Sequence, residues 1–146
     1  MSKERLSTRK ILGYTLEDVS ELVTQIGHDP KALVLHCGTN NIKKGDSVGS
    51  IVNKFENIFR EVGRRLPNTT IVYSSIVPRE DDDRKQQIVE KVNDAIYTEF
   101  GHDIVYVENY DIWGEGYKRP DGVHLTTRGT SMLARNIKAG ILDAVV

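Results

Sequence analysis

The strongest constraint on this chain is an alternation. Short β-branched apolar runs are separated by longer stretches in which apolar residues recur every three to four positions. The runs are Ala32-Leu33-Val34-Leu35, Thr70-Ile71-Val72-Tyr73 and Ile104-Val105-Tyr106-Val107. The first helical pattern carries Leu16, Val19, Leu22, Val23 and Ile26 behind a Thr15 cap, with Asp18 at the capping-box position and Gly27 as the stop. The second runs from about Asp46 to Leu66 with Ile51, Phe55, Ile58 and Val62 on one face, widened by Val52, Phe59 and Leu66, and Pro67-Asn68 breaks it. The third follows the acidic run 80–83, which suits the positive end of a helix dipole, and carries Ile88, Val92, Ala95, Ile96 and Phe100. The last begins near Thr127 and bears Leu133, Ile137 and Ile141.

Strands and helices in this order predict an α/β fold: a parallel sheet with right-handed crossovers and helices on both faces, hence three layers. Ala32–Leu35, with no polar residue, reads as a strand buried on both faces. Residues 6–12 read as a further extended piece ending at Gly13. In such sheets functional residues collect at the carboxyl ends of the strands. That places Gly13, the segment Gly38-Thr39-Asn40-Asn41, the loop 74–79 and the segment holding Tyr110, Trp113, Asp121 and His124 on one edge.

The chemistry-bearing stretch on that edge is Pro120-Asp121-Gly122-Val123-His124-Leu125. A carboxylate one tight turn upstream of an imidazole can fix one ring nitrogen as the protonated one and leave the other as a general base. The same residues also suit a turn that caps the following helix. Asn40 adds an amide donor of the kind that holds an oxyanion.

Composition removes other classes. At 146 residues the chain is read as one domain, residues 1–146. Its 20 basic and 21 acidic residues provide no field for nucleic acid or an acidic membrane surface. The single Cys37 excludes an internal disulfide, and His28, His36, His102 and His124 are scattered without zinc spacing, so no metal or cofactor is expected. No apolar run approaches the roughly 18 residues of a membrane span. Met1-Ser2-Lys3-Glu4-Arg5 leads into no signal-peptide core, so a soluble cytoplasmic protein without a membrane partner is expected.

Three blocks, in order, resemble the SGNH hydrolases, or GDSL-type esterases, over nearly the whole chain. Ile11-Leu12-Gly13-Tyr14-Thr15 is similar to the second block of that family, Val34-Leu35-His36-Cys37-Gly38-Thr39-Asn40-Asn41 to the third, and Asp121-Gly122-Val123-His124 to the fifth. The closest flavour is that of the esterase-like domains of some non-LTR retrotransposons. The resemblance implies a flavodoxin-like sheet and hydrolysis of a small-molecule acyl or acetyl ester. It also implies site residues: His124 as base, Asp121 as its orienter, and Asn40 with the Gly13 N–H as oxyanion donors.

Two departures bear on this. The usual third-block Asp is Asn41 here. The first block, a strand ending in Gly-Asp-Ser that carries the nucleophile, does not precede Gly13, so the first strand is expected to be missing and the domain to be N-terminally incomplete. A Gly45-Asp46-Ser47 triplet occurs, but its position after the third block reads as a helix start. Ser74 and Ser75 read as satisfying local backbone groups, His36 as a packed core histidine and Cys37 as a small buried residue. Trp113 and Tyr110 either wall a substrate site or close the loop over the core. Two readings stay open: a serine ester hydrolase whose serine lies outside this chain, and a non-catalytic binding domain derived from an esterase. An incomplete sheet also predicts a marginally stable chain prone to self-association.

Overall fold

The computed structural model of the protein describes residues 14–146. Residues 6–12 and Gly13, read above as an extended piece and an oxyanion donor, lie outside the described residues. The described elements run α1 (Leu16–Val23), β1 (Ala32–Leu35), α2 (Thr39–Lys44), α3 (Val48–Arg65), β2 (Thr70–Ser74), α4 (Asp83–Phe100), β3 (Val105–Val107) and α5 (Thr127–Val145).

The three strands form a parallel sheet in the order β1-β2-β3, with Leu35 beside Tyr73 and Tyr73 beside Tyr106. Alternation along the strands splits the side chains between two faces. Leu33, Leu35, Ile71, Tyr73, Ile104 and Tyr106 join the core cluster contributed by α1, α3 and α4. At its centre Tyr73 lies edge-on to Phe55 and Phe59, with centroids 5.3 and 6.4 Å away. Its buried hydroxyl donates to Asn93 on α4 at 2.8 Å, which is the condition for burying a tyrosine at low cost. The other face is covered by α5. A Cβ at Gly140 would lie 2.3 Å from Val107 and 3.1 Å from Val72, so this glycine lets the helix approach the sheet. This is the three-layer arrangement expected from the alternation, of the flavodoxin-like kind that the resemblance implies.

Several local expectations are corrected. β1 is not buried on both faces: Ala32, Leu33 and Val34 are half-buried and only Leu35 is buried, whereas β2 is buried from Ile71 onward. The segment Gly38-Thr39-Asn40-Asn41 leads into the short helix α2, bracketed by Gly38 and Gly45, and that turn carries Ile42 into the core. The second long helix starts at Val48 and the first ends at Val23, four residues before Gly27. There the Thr24 hydroxyl takes the Glu21 carbonyl and the N–H groups of Gln25 and Ile26 bond back three residues, tightening the last turn. At the other end the Asp18 carboxylate accepts both the Thr15 N–H, at 3.1 Å, and its hydroxyl, at 3.0 Å. Among the described residues no helix is long and apolar enough to cross a membrane.

Candidate active site

The carboxyl edge of the sheet is crossed by three segments: 36–41 after β1, 75–81 after β2 and 108–124 after β3. The last of these folds back on itself. Lys118 bridges antiparallel to Leu125, and the Arg119 N–H donates to the His124 carbonyl at 2.8 Å. Inside this closed turn one oxygen of Asp121 accepts the N–H groups of Val123 and His124, both at 2.9 Å. The other oxygen meets His124 Nδ1 at 2.5 Å.

Those two backbone N–H groups, with the imidazole, hold the Asp121 carboxyl well below the usual carboxylate range. Both side chains are exposed, 47% for Asp121 and 75% for His124, so the far ring nitrogen is open to solvent. An ionised Asp121 favours the imidazole tautomer with its Nδ1–H turned inward, leaving Nε2 to take a proton. The turn needs Gly122 twice over. Its φ is +73°, and a Cβ would lie 2.7 Å from the backbone of Glu80.

Asn40 sits in the first turn of α2 and donates from Nδ2 to the Tyr14 carbonyl at 3.1 Å, which leaves its second amide hydrogen for a ligand. Asn41, one residue on, is fully buried and has a different task. Its carbonyl oxygen accepts the Leu16 N–H at 2.8 Å, and its amide donates to Glu17 at 3.3 Å and to Asp46 at 2.9 Å. Lys54 closes this knot with bonds of 2.5 Å to Glu17 and 2.7 Å to Asp46. Lys54 is the largest cause in lowering both carboxyls, Glu17 to about 2. An aspartate at position 41 would have no hydrogens for Glu17 and Asp46, so asparagine is the residue this knot requires.

Ser47, Ser74 and Ser75 are committed elsewhere. Ser47 is the cap of α3, accepting the Ser50 N–H at 3.2 Å, which is the helix start expected of Gly45-Asp46-Ser47. Ser74 and Ser75 are buried. Ser75 accepts the Asn109 N–H at 2.9 Å, while Ser74 meets Asn109 Nδ2 and His36 Nδ1, both at 2.8 Å. His36 is therefore hydrogen-bonded as expected, but it lies past the end of β1 and is exposed by surface area, not packed in the core. Enough protein still surrounds its ring for desolvation to lower its pKa against the opposing Ser74 bond. Burial pushes the Cys37 thiol up to about 12, so it is not a ready nucleophile.

Tyr110 and Trp113 are exposed, 66% and 49%, and do not close over the core. Two cavities, of about 260 Å³ beside Gln86, Asn93 and Tyr106 and about 330 Å³ beside Phe59, Leu66 and Phe100, are lined by neither Asn40 nor His124. Among the described residues no cluster of three or more His, Cys, Asp or Glu is placed to hold a metal.

The profile of the GDSL-like lipase/acylhydrolase family matches residues 4–131. The chain belongs to that family. Solved structures resemble it in fold. A carbohydrate esterase family 3 protein from Talaromyces cellulolyticus is 18% identical with a TM-score of 0.74, over 91% of this chain and 69% of that one. A lipolytic G-D-S-L family member from Veillonella parvula is 17% identical with a TM-score of 0.74, over 87% and 74%. The esterase domain of the ORF1 protein of the zebrafish ZfL2-1 retrotransposon is 22% identical with a TM-score of 0.59, over 94% and 92%. No curated protein matches the chain by sequence.

Sequence reasoning missed the residues that join these loops. Arg79 is buried and reaches the Thr39 carbonyl and hydroxyl, at 3.3 and 3.1 Å, as well as both oxygens of Asp81. Glu80 accepts the Gly114 N–H and Lys118 Nζ, and Lys118 in turn donates to the Pro78 carbonyl. The available signal was Pro78-Arg79 itself, a cation leaving a strand toward the functional edge.

Proposed function

We propose that this domain is built to hydrolyse small acyl or acetyl esters, with His124 as general base, Asp121 as its orienter, and Asn40 with the Gly13 N–H as oxyanion donors. Ser47, Ser74 and Ser75, each already hydrogen-bonded elsewhere, do not serve as the nucleophile. One observation carries the reading: Asp121 is anchored by the N–H groups of its own turn and bonded to His124 Nδ1, with the opposite ring nitrogen facing solvent. A helix cap alone would use the backbone bonds and have no need of the imidazole. The acyl-ester class comes from the family and from the esterases that share the fold.

In the reaction, Nε2 of His124 takes the proton of the attacking hydroxyl as the acyl carbonyl becomes tetrahedral, and Asp121 stabilises the imidazolium that forms. The free hydrogen of Asn40 receives the developing oxyanion. The serine comes from a strand ending in Gly-Asp-Ser that the described elements do not supply.

A fluorophosphonate probe tests this, since it reports an activated serine without assuming a substrate. The chain as it stands is expected to give no labelling and no His124-dependent hydrolysis of p-nitrophenyl acetate. Placing a strand ending in Gly-Asp-Ser ahead of residue 1 is expected to confer labelling that His124→Ala abolishes. Labelling that survives His124→Ala would remove the base assignment, and labelling of the unextended chain would remove the statement about serines.

A further inference from the structure

We infer that Arg79 is a positioning residue that sets the placement of Asn40 relative to His124, by clamping the loops that carry them to one short segment, residues 78–81. The inference rests on the esterase reading for its purpose, but its geometry stands independently.

Asn40 and His124 are 84 positions apart in sequence and lie on different elements. A chemically useful distance between them has to be imposed by something that touches both loops. The segment 78–81 does so. On one side the Arg79 guanidinium donates from Nη1 to the carbonyl and hydroxyl of Thr39, the residue next to Asn40. On the other side the Glu80 N–H donates to the Gly122 carbonyl at 2.9 Å, inside the Asp121–His124 turn. The glycine at 122 brings the two backbones so close that a methyl group would not fit between them.

The segment itself is held rigid. Asp81 grips Arg79 through Nε at 3.1 Å and Nη2 at 2.9 Å, and this fork is the main cause of the lowered Asp81 pKa. The Arg79 N–H donates to Gln86 on α4 at 2.6 Å, and Lys118 Nζ joins Pro78 to Glu80. Arg79 is 5% exposed, so its bonds are shielded from water and its orientation is fixed. A lysine has one ammonium where this site uses three nitrogens at fixed angles, and could not span Thr39 and Asp81 together.

The test reads geometry directly and needs no turnover. In the ¹⁵N-labelled chain, the Asn40 side-chain amide and the His124 ring nitrogens are followed by NMR in Arg79→Ala, Arg79→Lys and Thr39→Val. Ser47→Ala, which weakens the cap of α3 and touches neither Arg79 nor Thr39, is the control for general loosening. Both Arg79 variants are expected to shift the Asn40 and His124 signals together, beyond any change in the control, and lysine is expected not to rescue. Thr39→Val removes only the hydroxyl at the Asn40 arm, and its expected signature is a shift transmitted to His124.

If Arg79→Ala fails to fold, Thr39→Val still decides the matter. Signals of His124 that stay in place in Thr39→Val, or that move no more in the folded Arg79 variants than in Ser47→Ala, would overturn the inference. Failure of the esterase reading shows separately, as His124-independent labelling of the extended chain with the resonance coupling intact.

Discussion

Two polar clusters in the fold are built on opposite principles. The knot of Asn41, Glu17, Asp46 and Lys54 draws its members from α1, α2, the α2–α3 connection and α3, and has a fully buried amide at its centre. The Asp121–His124 pair is made within four residues, by one closed turn, and stays exposed. The knot is structural: it satisfies a helix N–H and pins α1 to α2, placing Tyr14 where Asn40 can bond its carbonyl. The pair is local: its geometry is set within one turn, so its ring faces solvent without losing its orientation. A cluster that holds tertiary structure has to be buried and satisfied from several directions, whereas a reactive group has to keep one side open.

Breaking the knot is expected to have the largest effect. Asn41→Ala strands a buried Leu16 N–H, which by itself costs about 1–3 kcal/mol, and removes the donor to two carboxylates. Urea unfolding measures this. Asn41→Asp, which restores the residue usual in the family, is expected to destabilise as well, because three carboxylates then share Lys54.

Gly122→Ala is expected to cost about 1–3 kcal/mol from the strained φ alone. Since it also pushes the turn off Glu80, His124 should lose its fixed orientation, visible as averaged ring signals. Ser47→Ala should cost about 0.5–2 kcal/mol as a lost cap and leave the Asp121–His124 pair unchanged, which separates the family-like triplet from the site.

Acid sharpens the contrast further. Glu17 and Asp46 have folded pKa values below their unfolded ones, so the stability they contribute is present above roughly pH 4 and is lost as pH falls toward about 2. Denaturation midpoints measured across that window should fall in the wild-type chain and fall less in Lys54→Met, which lacks the partner that lowers both groups. The smallest stability change is expected for Asp121→Asn. It keeps an acceptor for the two turn N–H groups, so the unfolding midpoint should hold, while the short bond to His124 Nδ1 disappears from the proton spectrum.

The fold layers, the three strands and the Asp121–His124 pair were legible because each depends on spacing. Alternation sets the strands, a period near 3.6 sets the helices, and an Asp-x-x-His turn brings its two side chains together wherever it lies. The sequence also supported Thr15 with Asp18 and Ser47 as helix starts, since caps act over three residues. What depends on contacts across the chain was not legible. His36 read as a core residue because an apolar run precedes it, but β1 ends at Leu35 and leaves it at the edge. Asn41 read as a departure from a family pattern, and only the carboxylates of Glu17 and Asp46 around it explain the amide. Arg79 read only as the end of the loop 74–79, and only the folded chain places Thr39 forty residues upstream against it. The sequence by itself determined the Asp121–His124 pair, because its two members meet within one turn. The tertiary structure alone decided how the segments that carry the site are held relative to one another, because hydrogen bonds between distant segments leave no periodicity to read.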